Sequence, residues 1–304
     1  MFYKSLFLVR DRLPNLDNLP YSILNNDVLF EKLVNSHIEE FRDRHVVFCI
    51  SSGRAGSGYL SDILSRYTNS ISLHEPLPRM TGRYLDLSRP DIIYDTKRYR
   101  RIKLMGILGM LKNSDRDIPY VETSHMFIKT YYDIVTDFFK NIDVIVLRRE
   151  LSSVLKSFVE LGFFSRQLKQ WSLWMHKPEF RNLYFDPPMK FEDMDDIDRI
   201  ITYLLDIEAR AVRYSMLYPK TRIHDIYLSE ITSDDGISSL INTLGMNRKD
   251  NVNINSKRNS RSSIKNILNI DVQDSTYYSM RIKKYLNLCK EKGKSIPNED
   301  IILL

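Results

Sequence analysis

Five consecutive apolar residues, Val46-Val47-Phe48-Cys49-Ile50, run straight into Ser51-Ser52-Gly53-Arg54-Ala55-Gly56-Ser57-Gly58. That junction restricts the fold more than any other feature of the chain. An apolar run without polar alternation fits a strand covered on both faces, as in a parallel sheet. Just past the glycines, Leu60, Ile63, Leu64 and Tyr67 fall at offsets 0, 3, 4 and 7, which is one apolar stripe of a helix. The unit reads strand, glycine loop, helix.

The pattern repeats downstream. Ile71-Ser72-Leu73 and Pro119-Tyr120-Val121-Glu122-Thr123 read as short strands. Residues 143–147 (Asp-Val-Ile-Val-Leu) form a second strongly apolar strand, and residues 223–228 another. Helices are expected around Ile134, Val135, Phe138 and Phe139, then on the face made by Leu151, Val154, Leu155 and Phe158. A long helix follows over 200–212. A short one starts at Ser233 or Asp234 and stops at Gly245, and an amphipathic one runs from Ser279 onward. Strands alternating with helices predict an α/β fold, with a mainly parallel central sheet flanked by helices. The 304 residues are expected to make one large domain. Residues 1–44 would be a leader packing on the core, 78–118 an insertion shaping a binding site, and 248–304 a basic C-terminal segment.

Lys plus Arg number 45 against 39 Asp plus Glu, a net charge of +6. That balance suits an anionic ligand, a nucleic acid or an anionic membrane surface, without choosing among them. The two cysteines give no disulfide framework, and Cys49 sits in the apolar run as an inert core thiol. A reducing, cytoplasmic setting is expected. No run approaches the ~18 apolar residues that a membrane helix needs, and no cluster has metal-ligand spacing.

The loop carries the most chemistry. A helix start presents free backbone N–H groups and a partial positive charge, and glycine lets a ligand approach the backbone closely. Arg54 adds a planar fork that grips two oxygens at once. Without a ligand, the same residues make a tight strand-to-helix turn. The loop is not a Walker A sequence, because no Gly-Lys-Ser/Thr triplet follows at the required spacing.

Ser51 to Leu60 resembles the 5'-phosphosulfate loop of sulfotransferases that use 3'-phosphoadenosine 5'-phosphosulfate (PAPS). In that family a Lys or Arg, one variable residue, Gly and then Ser or Thr open the first helix. The resemblance implies a P-loop-like architecture and donor contacts from Ser52, Gly53, Arg54, Ala55, Gly56, Ser57, Gly58 and Tyr59. Arg149 and Ser157, eight positions apart, resemble the family's 3'-phosphate pair. Lys257 and Arg258 fall where a loop closing over the donor lies. By the same resemblance the product is adenosine 3',5'-bisphosphate and no metal takes part.

His74-Glu75-Pro76 is similar to the Glu-Pro pair of carbohydrate sulfotransferases and some bacterial members, which implies a carbohydrate or glycoconjugate acceptor. An acceptor hydroxyl must lose a proton as it attacks sulfur, which points to Glu75 as base. His74 and His125 are the rivals. Glu122-Thr123-Ser124-His125 is similar, more loosely, to a Glu-Lys-Ser/Thr-Pro segment of the family, but Thr123 and His125 replace its Lys and Pro. Trp171 and Trp174 read as core residues, or as stacking platforms for a base or sugar.

Two other functions fit the composition. One is a phosphotransferase using the same loop. The other is a nucleic-acid-binding module built on Arg98, Arg100, Arg101, Lys103 and the basic 248–265 stretch, although no nucleic-acid fold signature accompanies those charges.

Overall fold

The computed structural model describes residues 26–33, 39–164, 172–176, 183–249 and 272–302. Lys257, Arg258, Trp171 and most of the basic 248–265 stretch lie outside the described residues.

Five strands form one sheet: β1 (His45–Ile50), β2 (Ile71–Leu73), β3 (Tyr120–Glu122), β4 (Asn141–Arg148) and β5 (Arg222–Tyr227). Their order across the sheet is β2-β3-β1-β4-β5, and every pairing is parallel. This is an all-parallel α/β sheet with its first strand at the centre. β1 is apolar throughout because both its faces are covered. Val46, Phe48 and Ile50 enter one core cluster, while Val47 and Cys49 enter the other. Burial pushes the Cys49 thiol up to about 12, so it packs as a small apolar residue with little thiolate character.

Helix α1 (Ser57–Tyr67) follows β1, and α3 (Leu151–Glu160) follows β4. They cover opposite faces. Leu60, Ile63 and Leu64 of α1 lie in the smaller cluster with Ile237 and Leu240. Val154, Leu155 and Phe158 of α3 lie in the larger one with Ile200 and Leu204. The chain therefore leaves β1 and β4, which are neighbours, in opposite directions, and a crevice opens between their carboxyl ends.

Several boundaries differ from expectation. β4 takes in Arg148, whose guanidinium is buried against Glu208 (2.9 Å) and also pairs with Asp225. The helix expected around 134–139 is a short α-helix, Tyr132–Thr136, entered through a π-helical turn over Phe127–Tyr131. Phe138 and Phe139 lie past its end and are still buried. The C-terminal helix starts earlier, at Ser275, because Asp274 caps it by accepting from the N–H of Tyr277 at 2.8 Å. The short helix Asp234–Thr243 is capped by Ser233, as its sequence implies.

Residues 78–118 hold three helices, Arg83–Asp86, Lys97–Arg100 and α2 (Ile102–Leu111). They correct the nucleic-acid reading. Arg100 is fully buried in a two-pronged pair with Asp133, at 2.6 and 2.7 Å. Lys103 is buried against Glu122 at 2.6 Å. Arg101 is 7% exposed, pairs with Asp27 and covers the ring of Phe30. Of these four cations only Arg98 is described as a surface group, stacked on Tyr99. A charge inside the core cannot meet a phosphate backbone, so this cluster serves packing. No helix among the described residues is long and apolar enough to cross a membrane.

Candidate active site

All five strands are parallel, so their carboxyl ends share one edge. β2 leads to His74 and Glu75, β3 leads to His125, β1 leads to Arg54, and β4 leads to Arg149. The strand order places these exits side by side, although the residues are scattered from 54 to 149 along the chain.

The loop after β1 is held from several sides. Ser51 Oγ accepts from the N–H of Gly53 at 3.2 Å. The carbonyl of Ser52 accepts from the hydroxyl of Tyr203 at 2.6 Å. Gly56 precedes α1 at φ +103, in the left-handed region, and a Cβ there would come within 2.6 Å of Leu228 Cδ1. Gly56→Ala is therefore expected to cost about 1–3 kcal/mol, from left-handed strain and overpacking together. The measurement is the midpoint of urea unfolding, which falls.

The first-turn N–H groups of α1, at Ser57, Gly58 and Tyr59, have no acceptor within the helix. The first intrahelical bond runs from Leu60 N to Gly56 O at 3.0 Å. The Ser57 side chain is buried at this start. Ala55 is also buried, and Tyr59 directs its hydroxyl to the carbonyl of Ile231 at 3.3 Å, away from the loop.

Arg54 is exposed and sits at φ +58. Its Nε donates to Ser157 Oγ on α3 at 3.0 Å. Arg149 Nη1 donates to the carbonyl of Arg54 at 3.4 Å. Sequence spacing puts Arg54 and the Arg149–Ser157 pair at two separate anchors. The structure brings all three into contact at the β1/β4 crevice, beside a small cavity of about 50 Å³ lined by Ser52, Ala55, Arg148, Arg149, Glu208 and Tyr227 among others. Two guanidinium groups, a hydroxyl and a helix start face one crevice, a donor set suited to a multiply charged phosphate ester. Arg148 also lines that cavity, but its guanidinium is already held by Glu208 and Asp225.

Glu75 also has a left-handed backbone, at φ +49. Unusual backbone at two polar loop residues on one edge directs attention to function. The carboxylate is partly exposed. Its Oε1 lies 3.3 Å from His125 Nε2 and 3.8 Å from His74 Nε2. His125 is buried, and its Nδ1 faces Lys129 Nζ at 2.6 Å. Both nitrogens of His125 are thus engaged within the protein. His74 turns Nδ1 to the carbonyl of Thr123 at 2.8 Å. Of the three candidates, Glu75 offers a second carboxylate oxygen beyond the one that faces the histidines.

The loop that carries Glu75 is anchored by Lys103, which is within 3.3 Å of the carbonyls of Pro76 and Pro78 while paired with buried Glu122. Tyr120 and Tyr131 donate to the same carboxylate at 2.7 and 2.5 Å. Lys129 has no role in the sequence reading, and Lys103 enters it only among the cations of the nucleic-acid-binding module. The one available signal was the four-residue interval between His125 and Lys129, which stacks two side chains on a helical turn.

Fold and site together define a parallel α/β protein with an anion-suited loop, a converging pair of arginines and a neighbouring carboxylate. No family model matches the chain, and no curated protein matches it. Among solved structures it is similar to the sulfotransferase domain from the curacin biosynthetic pathway, with TM-score 0.43 and 16% identity over 67% of this chain and 75% of that one. It is also similar to a sulfotransferase from Alicyclobacillus acidocaldarius, with TM-score 0.42 and 14% identity over 66% of this chain and 81% of that one.

Proposed function

We propose that this protein is a sulfotransferase that moves a sulfuryl group from PAPS to a hydroxyl acceptor. The observation that carries the reading is the convergence of Arg54, Ser157 and Arg149 at the β1/β4 crevice, beside a carboxylate on the same sheet edge. PAPS is charged at both ends of its ribose, and those residues match that charge. Arg54 and the first-turn N–H groups of α1 hold the 5'-phosphosulfate, and Arg149 and Ser157 hold the 3'-phosphate. Lys257 and Arg258 are proposed to close over it.

In the transfer, Glu75 accepts the proton of the acceptor hydroxyl. The acceptor oxygen forms a bond to sulfur as the bond from sulfur to the bridging phosphate oxygen breaks. Arg54 and the loop N–H groups stabilise the charge that gathers on that leaving oxygen. The products are a sulfate ester, adenosine 3',5'-bisphosphate and one proton, first held by Glu75. The resemblance of His74-Glu75-Pro76 to carbohydrate sulfotransferases favours a carbohydrate or glycoconjugate as acceptor. The free, buried cysteines Cys49 and Cys289 suit a reducing cytoplasm.

The decisive experiment is thermal unfolding with adenosine 3',5'-bisphosphate, ATP plus magnesium, or NAD. A ligand at about 100 times its Kd stabilises by about 2.7 kcal/mol, so the bisphosphate is expected to raise Tm by several degrees. A larger shift with ATP and magnesium would replace this reading with a phosphotransferase.

A further inference from the structure

A buried string of polar groups joins the proposed base to the proposed donor loop. Oε1 of Glu75 faces Nε2 of His125 at 3.3 Å, and Nδ1 of His125 faces Nζ of Lys129 at 2.6 Å. Lys129, fully buried, also donates to the carbonyl of Trp174 at 2.7 Å and to the hydroxyl oxygen of Tyr203 at 3.1 Å. The Tyr203 hydroxyl in turn donates to the carbonyl of Ser52 at 2.6 Å. Burial keeps that phenol protonated, so its oxygen is an acceptor toward Lys129.

The direction of each bond follows from this inventory. Trp174 and Tyr203 present only acceptors to Nζ, so two N–H groups of Lys129 are committed. The third position of Nζ meets Nδ1 of His125. If Lys129 is the ammonium, it donates to a bare Nδ1, and neutral His125 carries its hydrogen on Nε2. If the proton has crossed to the imidazole, Nδ1–H donates to the amine and Nε2 still carries a hydrogen. With one shared charge, both placements aim an N–H at Glu75.

Burial presses both groups toward their neutral forms. For His125 the next contributions, Lys129 and His74, act the same way. For Lys129, Glu75 and Asp206 oppose burial while Arg210 adds to it. His176, also buried nearby, is pressed toward neutrality with Arg210 and Lys129 contributing. A second proton on the pair is therefore disfavoured, and the carboxylate of Glu75 favours the single one on Lys129. A pair with no shared proton would give both amine hydrogens to Trp174 and Tyr203, put the imidazole hydrogen on Nδ1 and leave Nε2 bare.

We propose that His125 and Lys129 are positioning residues for Glu75: they share one buried proton that fixes an N–H on Nε2 of His125, which holds Oε1 and leaves the other carboxylate oxygen to the acceptor hydroxyl. Through Tyr203 the same lysine sets the height of Ser52, so base and donor loop are held in one register. This deepens the sulfotransferase reading and rests on it.

The test has two arms on the full chain. In the first, histidine is labelled with nitrogen-15, and His125 is assigned by its absence in His125→Gln. Nε2 is expected to be the protonated nitrogen of His125 at neutral pH, with that bias weakened in Lys129→Met. In the second arm, His125→Ala lowers kcat about 10- to 100-fold, the range for a displaced catalytic group, and adenosine 3',5'-bisphosphate binds as before. His125→Gln, whose amide N–H replaces Nε2–H, recovers much of that loss. The acidic limb of the kcat profile moves to higher pH in His125→Ala, because a carboxylate that loses a donor holds its proton more tightly.

A bare Nε2 in the wild-type protein overturns the proposal. So does a His125→Ala variant with kcat within twofold of wild type and an unmoved acidic limb. A wild-type protein that neither binds the bisphosphate nor transfers sulfuryl overturns the function itself, a result read without any His125 variant.

Discussion

Arg54→Ala is expected to lower kcat/KM for sulfuryl transfer by about 10²–10³, the cost of removing one well-placed donor from developing oxyanion charge. The side chain is exposed and its Nε already reaches Ser157 across the crevice. The substitution therefore removes charge from the site and little from the core. The left-handed backbone at φ +58 sharpens the test. Left-handed geometry costs a non-glycine residue about 1–2 kcal/mol, so Arg54→Gly should be at least as stable as the parent in urea while losing as much activity. Arg54→Lys keeps the charge without the fork and should fall between. Radiolabelled transfer from PAPS at saturating acceptor measures all three. Wild-type turnover in Arg54→Ala would remove this residue from the reaction.

Glu75→Gln is expected to lower kcat by about 10²–10⁴, the usual contribution of a positioned general base, with donor binding preserved. Glutamine keeps the size and some hydrogen bonding of the side chain but cannot take the proton. Because the amide does not titrate, the acidic limb of the pH profile should flatten. His74→Ala provides the contrast. Its Nδ1 bonds to Thr123, and its Nε2 is 3.8 Å from Glu75, so a loss below about tenfold is expected. A His74 variant as impaired as Glu75→Gln would transfer the role of base to the histidine.

The two variants act at strand exits that the chain reaches by different routes. Arg54 was legible because its surroundings are local: an apolar run, glycines and a helical stripe within about twenty residues. Glu75 was legible as a residue but not as a neighbour of that loop. β3 lies between β2 and β1, and it brings in His125, which the sequence offered only as a rival base. Arg148 and Arg149 are adjacent in sequence and alike in chemistry. Pleating separates them: Arg148 ends β4, paired with Tyr227 of β5 and buried against Glu208, while Arg149 turns to the crevice.

What the amino-acid order alone determined was the parallel α/β class, the strand, loop and helix at 45–67, and the chemistry of the loop. These follow from periodicity and backbone preference, which act over a few residues. What only tertiary structure decided was which charges are ligands and which are ballast for the core. Arg100 and Lys103 look like surface cations until Asp133 and Glu122 meet them from distant segments. Lys129 is tied to the donor loop because the long helix Asp196–Leu217 delivers Tyr203 between them. Burial and pairing of charge depend on contacts between residues far apart in the chain, and no local spacing encodes which partner arrives.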